Sequence, residues 1–213
     1  MRLSPLFSAM VLALPLVALT ACYTQSGSVI EPEPRWFVMA DADLPTARWD
    51  HLPEGKSWTR EILSNLIDGG QGGALIEMVP KDIEQWCPSY TETVDSDDDI
   101  KRAAFWIGLM SAMAKHESTY NPQAVGGGGR WFGLLQISPD TAKAYGCAAT
   151  TGAALKDGSE NLRCAVRIMA KTVPRDGVVA AGGRGVAADW GPFHSAAKRA
   201  DMMQWVSSQD YCR

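Results

Sequence analysis

The chain has 213 residues, 24 acidic against 20 basic, and a formal charge of -4. No basic stripe is present to release counterions from a phosphate backbone, which argues against nucleic acid as the main partner. Nearly half of the residues are hydrophobic, at 46%, enough for one compact domain with a full core in about 190 residues after any leader is removed.

Met1-Arg2 and the apolar run Leu6 to Leu19 make a charged n-region and an h-region too short for a stable membrane span, the pattern of an export signal. It closes on Leu19-Thr20-Ala21-Cys22, which resembles the lipobox of bacterial lipoproteins, where the cysteine is lipidated and becomes the mature N-terminus. That resemblance implies a signal peptide over 1–21 and lipidation at Cys22. With Tyr23 rather than Asp after the cysteine, it implies an outer membrane lipoprotein facing the periplasm. Residues 22–35, polar and carrying Glu31-Pro32-Glu33-Pro34, read as the lipid anchor and an extended tether.

Residues 36–94 read as an N-terminal extension packed on the core, with one helix from Ser57 to Asp68 stopped by Gly69-Gly70 and another around Ile83. The glycine run Gly69-Gly70-Gln71-Gly72-Gly73 reads as a plain loop. Neither this run nor Gly126 to Gly129 has the ending of a P-loop or the spacing of a dinucleotide fingerprint. Asp95-Ser96-Asp97-Asp98-Asp99 fails the EF-hand template, because Ile100 and Trp106 stand where Gly and Glu are needed. Those acidic residues instead suit the N-terminus of a helix from Ile100 to Glu117.

Glu117 ends that helix on the face carrying Ala103, Trp106, Met110 and Met113, at about 100° per residue. A carboxyl group at the rim of an apolar surface loses solvation, its pKa rises, and it becomes a candidate acid catalyst. The segment continues as Glu117-Ser118-Thr119-Tyr120-Asn121-Pro122-Gln123-Ala124, then the glycine run, then Gly133-Leu134-Leu135-Gln136. Ser138, Pro139 and Asp140 predict a helix to about Tyr145, stopped by Gly146. Asp157-Gly158-Ser159-Glu160-Asn161 opens another with Leu162, Ala165, Val166 and Met169 inward, ended by Pro174. A loop marked by Gly182-Gly183 leads to a last helix from about Ser195 to Val206.

The order Glu-Ser, Pro122, Ala124 and Gly-Leu-Leu-Gln resembles the soluble-type lytic transglycosylases of the lysozyme-like superfamily, whose pattern is E-S-x-x-x-P-x-A followed by G-L-M-Q. The resemblance covers roughly Ile100 to Trp190. It implies a mainly α (α+β lysozyme-like) fold: a helical catalytic domain over 95–213 with a small hairpin or loop at the cleft, the second glycine run forming a mobile lip. It also implies peptidoglycan glycan strands as substrate, Glu117 as the catalytic residue, and cleavage of the MurNAc-GlcNAc β-1,4 bond to 1,6-anhydromuropeptides. Ser118, Gln136, Trp131, Asn161 and Trp190 are the substrate-binding residues implied, and the Asn161-Leu162 block packs behind the cleft in the family. No cofactor is implied. In the family's later block an Ala-Tyr-Asn-x-Gly-Pro run carries a tyrosine close to the catalytic glutamate, whereas this chain reads Ala187-Ala188-Asp189-Trp190-Gly191-Pro192. Either Trp190 fills that space or another polar group assists Glu117.

Two other functions remain open at this point. A goose-type lysozyme-like hydrolase needs a second carboxylate such as Asp140, Asp157 or Asp189 at the cleft to activate water. A non-catalytic peptidoglycan-binding lipoprotein positions partners in an envelope machine.

With Cys22 lipidated, Cys87, Cys147, Cys164 and Cys212 remain, an even set for an oxidising compartment. Three pairings are possible; the short separation of Cys147 and Cys164 favours that pair, leaving Cys87 with Cys212. No metal is expected, since there is no Cys-x-x-Cys and His51, His116 and His194 are scattered.

Overall fold

The computed structural model describes residues 39–67, 70–91 and 98–213. These contain six α-helices: α1 (Gly55–Ile67), α2 (Gly73–Glu77), α3 (Asp98–Glu117), α4 (Pro139–Tyr145), α5 (Gly158–Asp176) and α6 (Ala196–Ser207). One two-stranded antiparallel hairpin, β1 (Val125–Gly126) and β2 (Trp131–Phe132), lies between α3 and α4. This is the mainly α, lysozyme-like architecture expected. The signal sequence, Cys22, the tether and Asp95 to Asp97 lie outside the described residues.

Helix α3 is the axis of the fold. From Ala103 to Ala114 its apolar side chains are 0–3% exposed, so it is apolar on every face, as a helix enclosed by its neighbours must be. It packs between α1 and α6, and α1 also lies along α5. The polar Ser111, fully buried, is satisfied twice: its hydroxyl donates to Gly108 O and accepts from Arg48 N–H. At Gly108 a methyl group would strike the Tyr211 hydroxyl, so glycine there lets the C-terminal turn close on the axis.

The segment read as an extension contributes Trp49, Trp58, Ile62, Leu63 and Leu66 to the same buried cluster as α3 and α5. The described residues form one compact unit. Both disulfides are present. Cys147–Cys164 (Cα–Cα 5.2 Å) joins the end of α4 to α5, and Cys87–Cys212 (Cα–Cα 4.5 Å) ties the C-terminal turn to the chain entering α3.

The capping residues act as the sequence suggested. Ser138 Oγ accepts from Thr141 N, Asp157 Oδ1 from Glu160 N, and Ser195 Oγ from Lys198 N, while Gly146 closes α4 at a φ of 71°. Three local expectations need correction. Pro174 does not end α5, which runs on to Asp176 and stops at left-handed Gly177; the proline is exposed and so near the C-terminus that the one ladder bond its missing N–H removes leaves only two further residues to hold. The segment around Ile83 is a single 3-10 turn, and Gly73, the last residue of the first glycine run, begins the short helix α2.

Candidate active site

Helix α3 delivers Glu117 and the chain then reverses sharply. Thr119 and Tyr120 take φ values of 54° and 62°, a left-handed conformation costly for residues with a Cβ. Tyr120 N–H returns to Ala114 O at 3.2 Å, a carbonyl that also accepts from Ser118 N–H at 3.1 Å, so the reversal closes on a shared acceptor at the helix end. Asn121 Oδ1 then accepts from Gln123 N at 2.9 Å, turning the chain into β1.

The hairpin carries an aromatic platform. Trp131, 42% exposed, pairs with Gly126 across the strands. A methyl group at Gly127 would collide with its ring, so the glycines let the indole lie flat against the turn. The Arg130 guanidinium stacks over the ring at 4.8 Å, and its Nε donates to Gly127 O.

The Gly133-Leu134-Leu135-Gln136 turn is clamped from behind by Asn161. Its amide nitrogen donates to Phe132 O at 2.9 Å and Leu155 O at 3.0 Å, and its amide oxygen accepts from Leu135 N at 2.9 Å. Asn161 is 0% exposed, so it cannot touch substrate; its role corrects from binding to holding the cleft floor. Gly133, at a φ of 81°, admits no Cβ because Leu155 O and the Asn161 amide occupy that space.

Gln136 sits at a φ of 47° and its Nε2 donates to Gly133 O and Ala124 O, which leaves the amide oxygen as its free function. Trp190, 3% exposed, donates its indole N–H to Leu135 O at 2.9 Å. Although it is among the residues lining the Glu117 cavity, so little of it is exposed that it cannot serve as an open stacking platform, a second correction. The Ser118 hydroxyl donates back to Ala114 O at 3.3 Å, a bond to the preceding helical turn that leaves its oxygen able to accept.

These elements enclose a cavity of about 360 Å³, lined among others by Glu117, His116, Trp131, Gln136, Asp189 and Lys198. Glu117 is half-buried, and among the described residues nothing hydrogen-bonds its carboxyl group. Burial pushes its pKa up from 4.5 to about 7, with the Lys198 ammonium pulling the other way. The proton on Glu117 is thus retained near neutrality and available for donation.

Of the three carboxylates that could serve a hydrolase, only Asp189 faces this cavity. It accepts from Tyr145 Oη at 3.3 Å, and burial raises its pKa. Asp140 is exposed beside Lys143, and Asp157 caps α5. His116 and Lys198 were missed in the sequence. His116 stands directly before Glu117 and so carried a local signal, whereas Lys198 comes from α6 with nothing in its neighbourhood to mark it. Among the described residues no group of three or more His, Cys, Asp or Glu is placed to hold a metal ion.

Residues 98–181 match the family described as "Transglycosylase SLT domain". This part of the chain is similar to SLT domains. The match takes in Glu117, the hairpin, the Gly-Leu-Leu-Gln turn and Asn161, and leaves Asp189, Trp190 and Lys198 outside it. Solved structures extend the likeness. A glutamate-to-glutamine variant of Bd0314 DslA superposes with a TM-score of 0.67 at 27% identity, covering 77% of this chain and 95% of that one. A second such variant gives 0.68 at 26% identity over 78% and 97%, and wild-type DslA gives 0.65 at 25% over 79% and 98%. No curated protein matches the sequence. The SLT domain and the likeness to DslA support lytic transglycosylase-type activity, with peptidoglycan as the substrate implied.

Proposed function

We propose that the protein is a lytic transglycosylase in which Glu117 alone performs both proton transfers. Protonated Glu117 gives its proton to the glycosidic oxygen between N-acetylmuramic acid and N-acetylglucosamine as the bond from that oxygen to C1 breaks. The substrate's own N-acetyl oxygen stabilises the charge developing at C1. The Glu117 carboxylate then takes the proton of the C6 hydroxyl, whose oxygen bonds to C1 and closes a 1,6-anhydro ring. No water is consumed, and Glu117 ends as it began.

The observation that carries this reading is the Glu117 carboxyl group itself, half-buried in a cavity of about 360 Å³, without a hydrogen-bond partner among the described residues, and with its pKa pushed up by burial to about 7. In this reading Trp131 stacks on a sugar face, and the Gln136 amide oxygen accepts from a sugar hydroxyl or N-acetyl N–H. Glu117→Gln keeps the shape but cannot donate and reclaim a proton. Digestion of purified sacculi should slow by at least about 10²-fold while glycan binding persists. Release at the parental rate would refute the assignment and favour a binding module.

A second reading, the goose-type hydrolase, is favoured by Asp189 alone, the carboxylate that shares the cavity with Glu117. There Asp189 would activate water and the products would keep a reducing end. We further propose that the enzyme is an outer membrane lipoprotein anchored through Cys22, with residues 22–35 as the tether from the lipid to the folded body. The support is the sequence Leu19-Thr20-Ala21-Cys22-Tyr23.

A further inference from the structure

Beside Glu117, the cleft contains a second polar group held in a defined state by a network that the mechanism above does not use. Asp201 on α6 is the hub of that network. Its carboxylate accepts from Arg48 Nη1 at 2.6 Å and Nη2 at 3.0 Å, from Lys115 Nζ at 3.1 Å, and pairs with His116 Nε2 at 2.7 Å. The Arg48 fork, then His116 and Lys115, hold the Asp201 carboxyl well below the usual carboxylate range against the opposing effect of burial. An ionised carboxylate has no proton to give, so the imidazole is the donor and Nε2 carries a hydrogen.

That bond fixes the ring and leaves Nδ1 facing elsewhere. Among the described residues no group bonds to Nδ1, and it is not among the buried unsatisfied side-chain atoms. It is therefore not sealed within the protein, and the cavity that His116 lines is the one holding Glu117. The other side-chain acceptors in the cleft are the Gln136 amide oxygen and the Asp189 carboxyl group. The Glu117 carboxyl group is needed protonated, and Asp189 already accepts from Tyr145. A glycan brings many hydroxyl donors into such a site, and a ring nitrogen with a lone pair can receive one of them.

We propose that His116 is a further substrate-contacting residue, its Nε2–H locked onto Asp201 so that Nδ1 accepts a hydrogen bond from a hydroxyl of the sugar bound beside Glu117. The inference rests on the reading of this cleft as a glycan site. Asp201 is then a positioning residue, and it ties the first segment of the fold, through Arg48, to the orientation of a cleft group.

The test uses the full protein with Glu117→Gln, so that glycan is bound and not turned over, and ¹⁵N-labelled histidine. The His116 signals are assigned by their loss in His116→Asn. In the unprotonated ring the spectrum should show the hydrogen on Nε2 and none on Nδ1. Adding a soluble GlcNAc-MurNAc tetrasaccharide should shift the Nδ1 signal. His116→Gln retains a donor that reaches Asp201 but has no acceptor at the Nδ1 position, and should weaken tetrasaccharide binding about tenfold. His116→Asn places its amide oxygen near that position and should stay within about threefold of the parent.

A hydrogen on Nδ1 in the unprotonated ring, an unmoved Nδ1 signal while the tetrasaccharide binds, or equal losses in the Asn and Gln variants would overturn the inference and leave the glycan cleft standing. If the tetrasaccharide does not bind even with His116 intact, the glycan-cleft reading itself fails, and this inference with it.

Discussion

Replacing Glu117 by Gln should make the protein more stable in mild alkali, because the catalytic carboxyl group is held where its charged form is unwelcome. Burial raises its folded-state pKa from 4.5 to about 7, so between those values the native state binds a proton that the unfolded chain has released. Stability therefore falls as pH rises across this window. The contribution is fully present below about 4.5 and lost as pH passes about 7. At about 1.4 kcal/mol per pH unit, the gap amounts to about 3 kcal/mol. Glutamine stays neutral at every pH and escapes the loss. Urea unfolding at pH 8 should give the variant about 3 kcal/mol over the parent, while at pH 4, where the carboxyl group is neutral in both states, the two should agree within about 0.5 kcal/mol. A variant no more stable than the parent at pH 8 would show that the carboxyl group is well solvated, and the argument for a retained proton would fall.

Further predictions concern the supports of the site and the anchor. Asn161→Ala leaves Phe132 O, Leu155 O and Leu135 N–H without their buried partner, and should lower stability by about 3 kcal/mol in urea melts, with turnover falling alongside. Serine replacement of Cys87–Cys212, which closes a span of 125 residues, should cost about 5 kcal/mol, against about 3 kcal/mol for Cys147–Cys164 with its span of 17. The reverse order in thermal melts would contradict the loop-closure argument. Cys22→Ala should move the protein from the membrane to the soluble fraction on cell fractionation, and an unchanged membrane-bound share would exclude the lipid anchor.

Much of the site was legible because its signals are local. Glu117, the reversal through Asn121-Pro122, the glycine hairpin and the Gly133 turn follow one another in a single stretch, and the helix caps at Ser138, Asp157 and Ser195 were each readable from a few neighbouring residues. What escaped depends on contacts across the chain. Asn161 looked like a binding residue, yet its amide is consumed by backbone 26 to 29 residues away. Trp190 has the ring of a stacking platform, and only its bond to Leu135 O shows that it faces inward. The Asp201 hub joins residues 48, 115 and 116 to a helix more than 80 positions later, a convergence without a motif. The segment before α3 carried a helix signal but no motif, and which side chains it sends into the core, Trp49, Trp58 and Ile62 among them, follows from packing.

The central claim is that one carboxyl group cleaves the glycan without water. It is tested most directly by digesting purified sacculi with the protein and weighing the released muropeptides by mass spectrometry, with the Glu117→Gln variant as control. The account predicts muropeptides ending in 1,6-anhydromuramic acid, absent from the control. Muropeptides heavier by one water, with reducing muramic acid ends, would contradict it and pass the chemistry to the Glu117 and Asp189 pair.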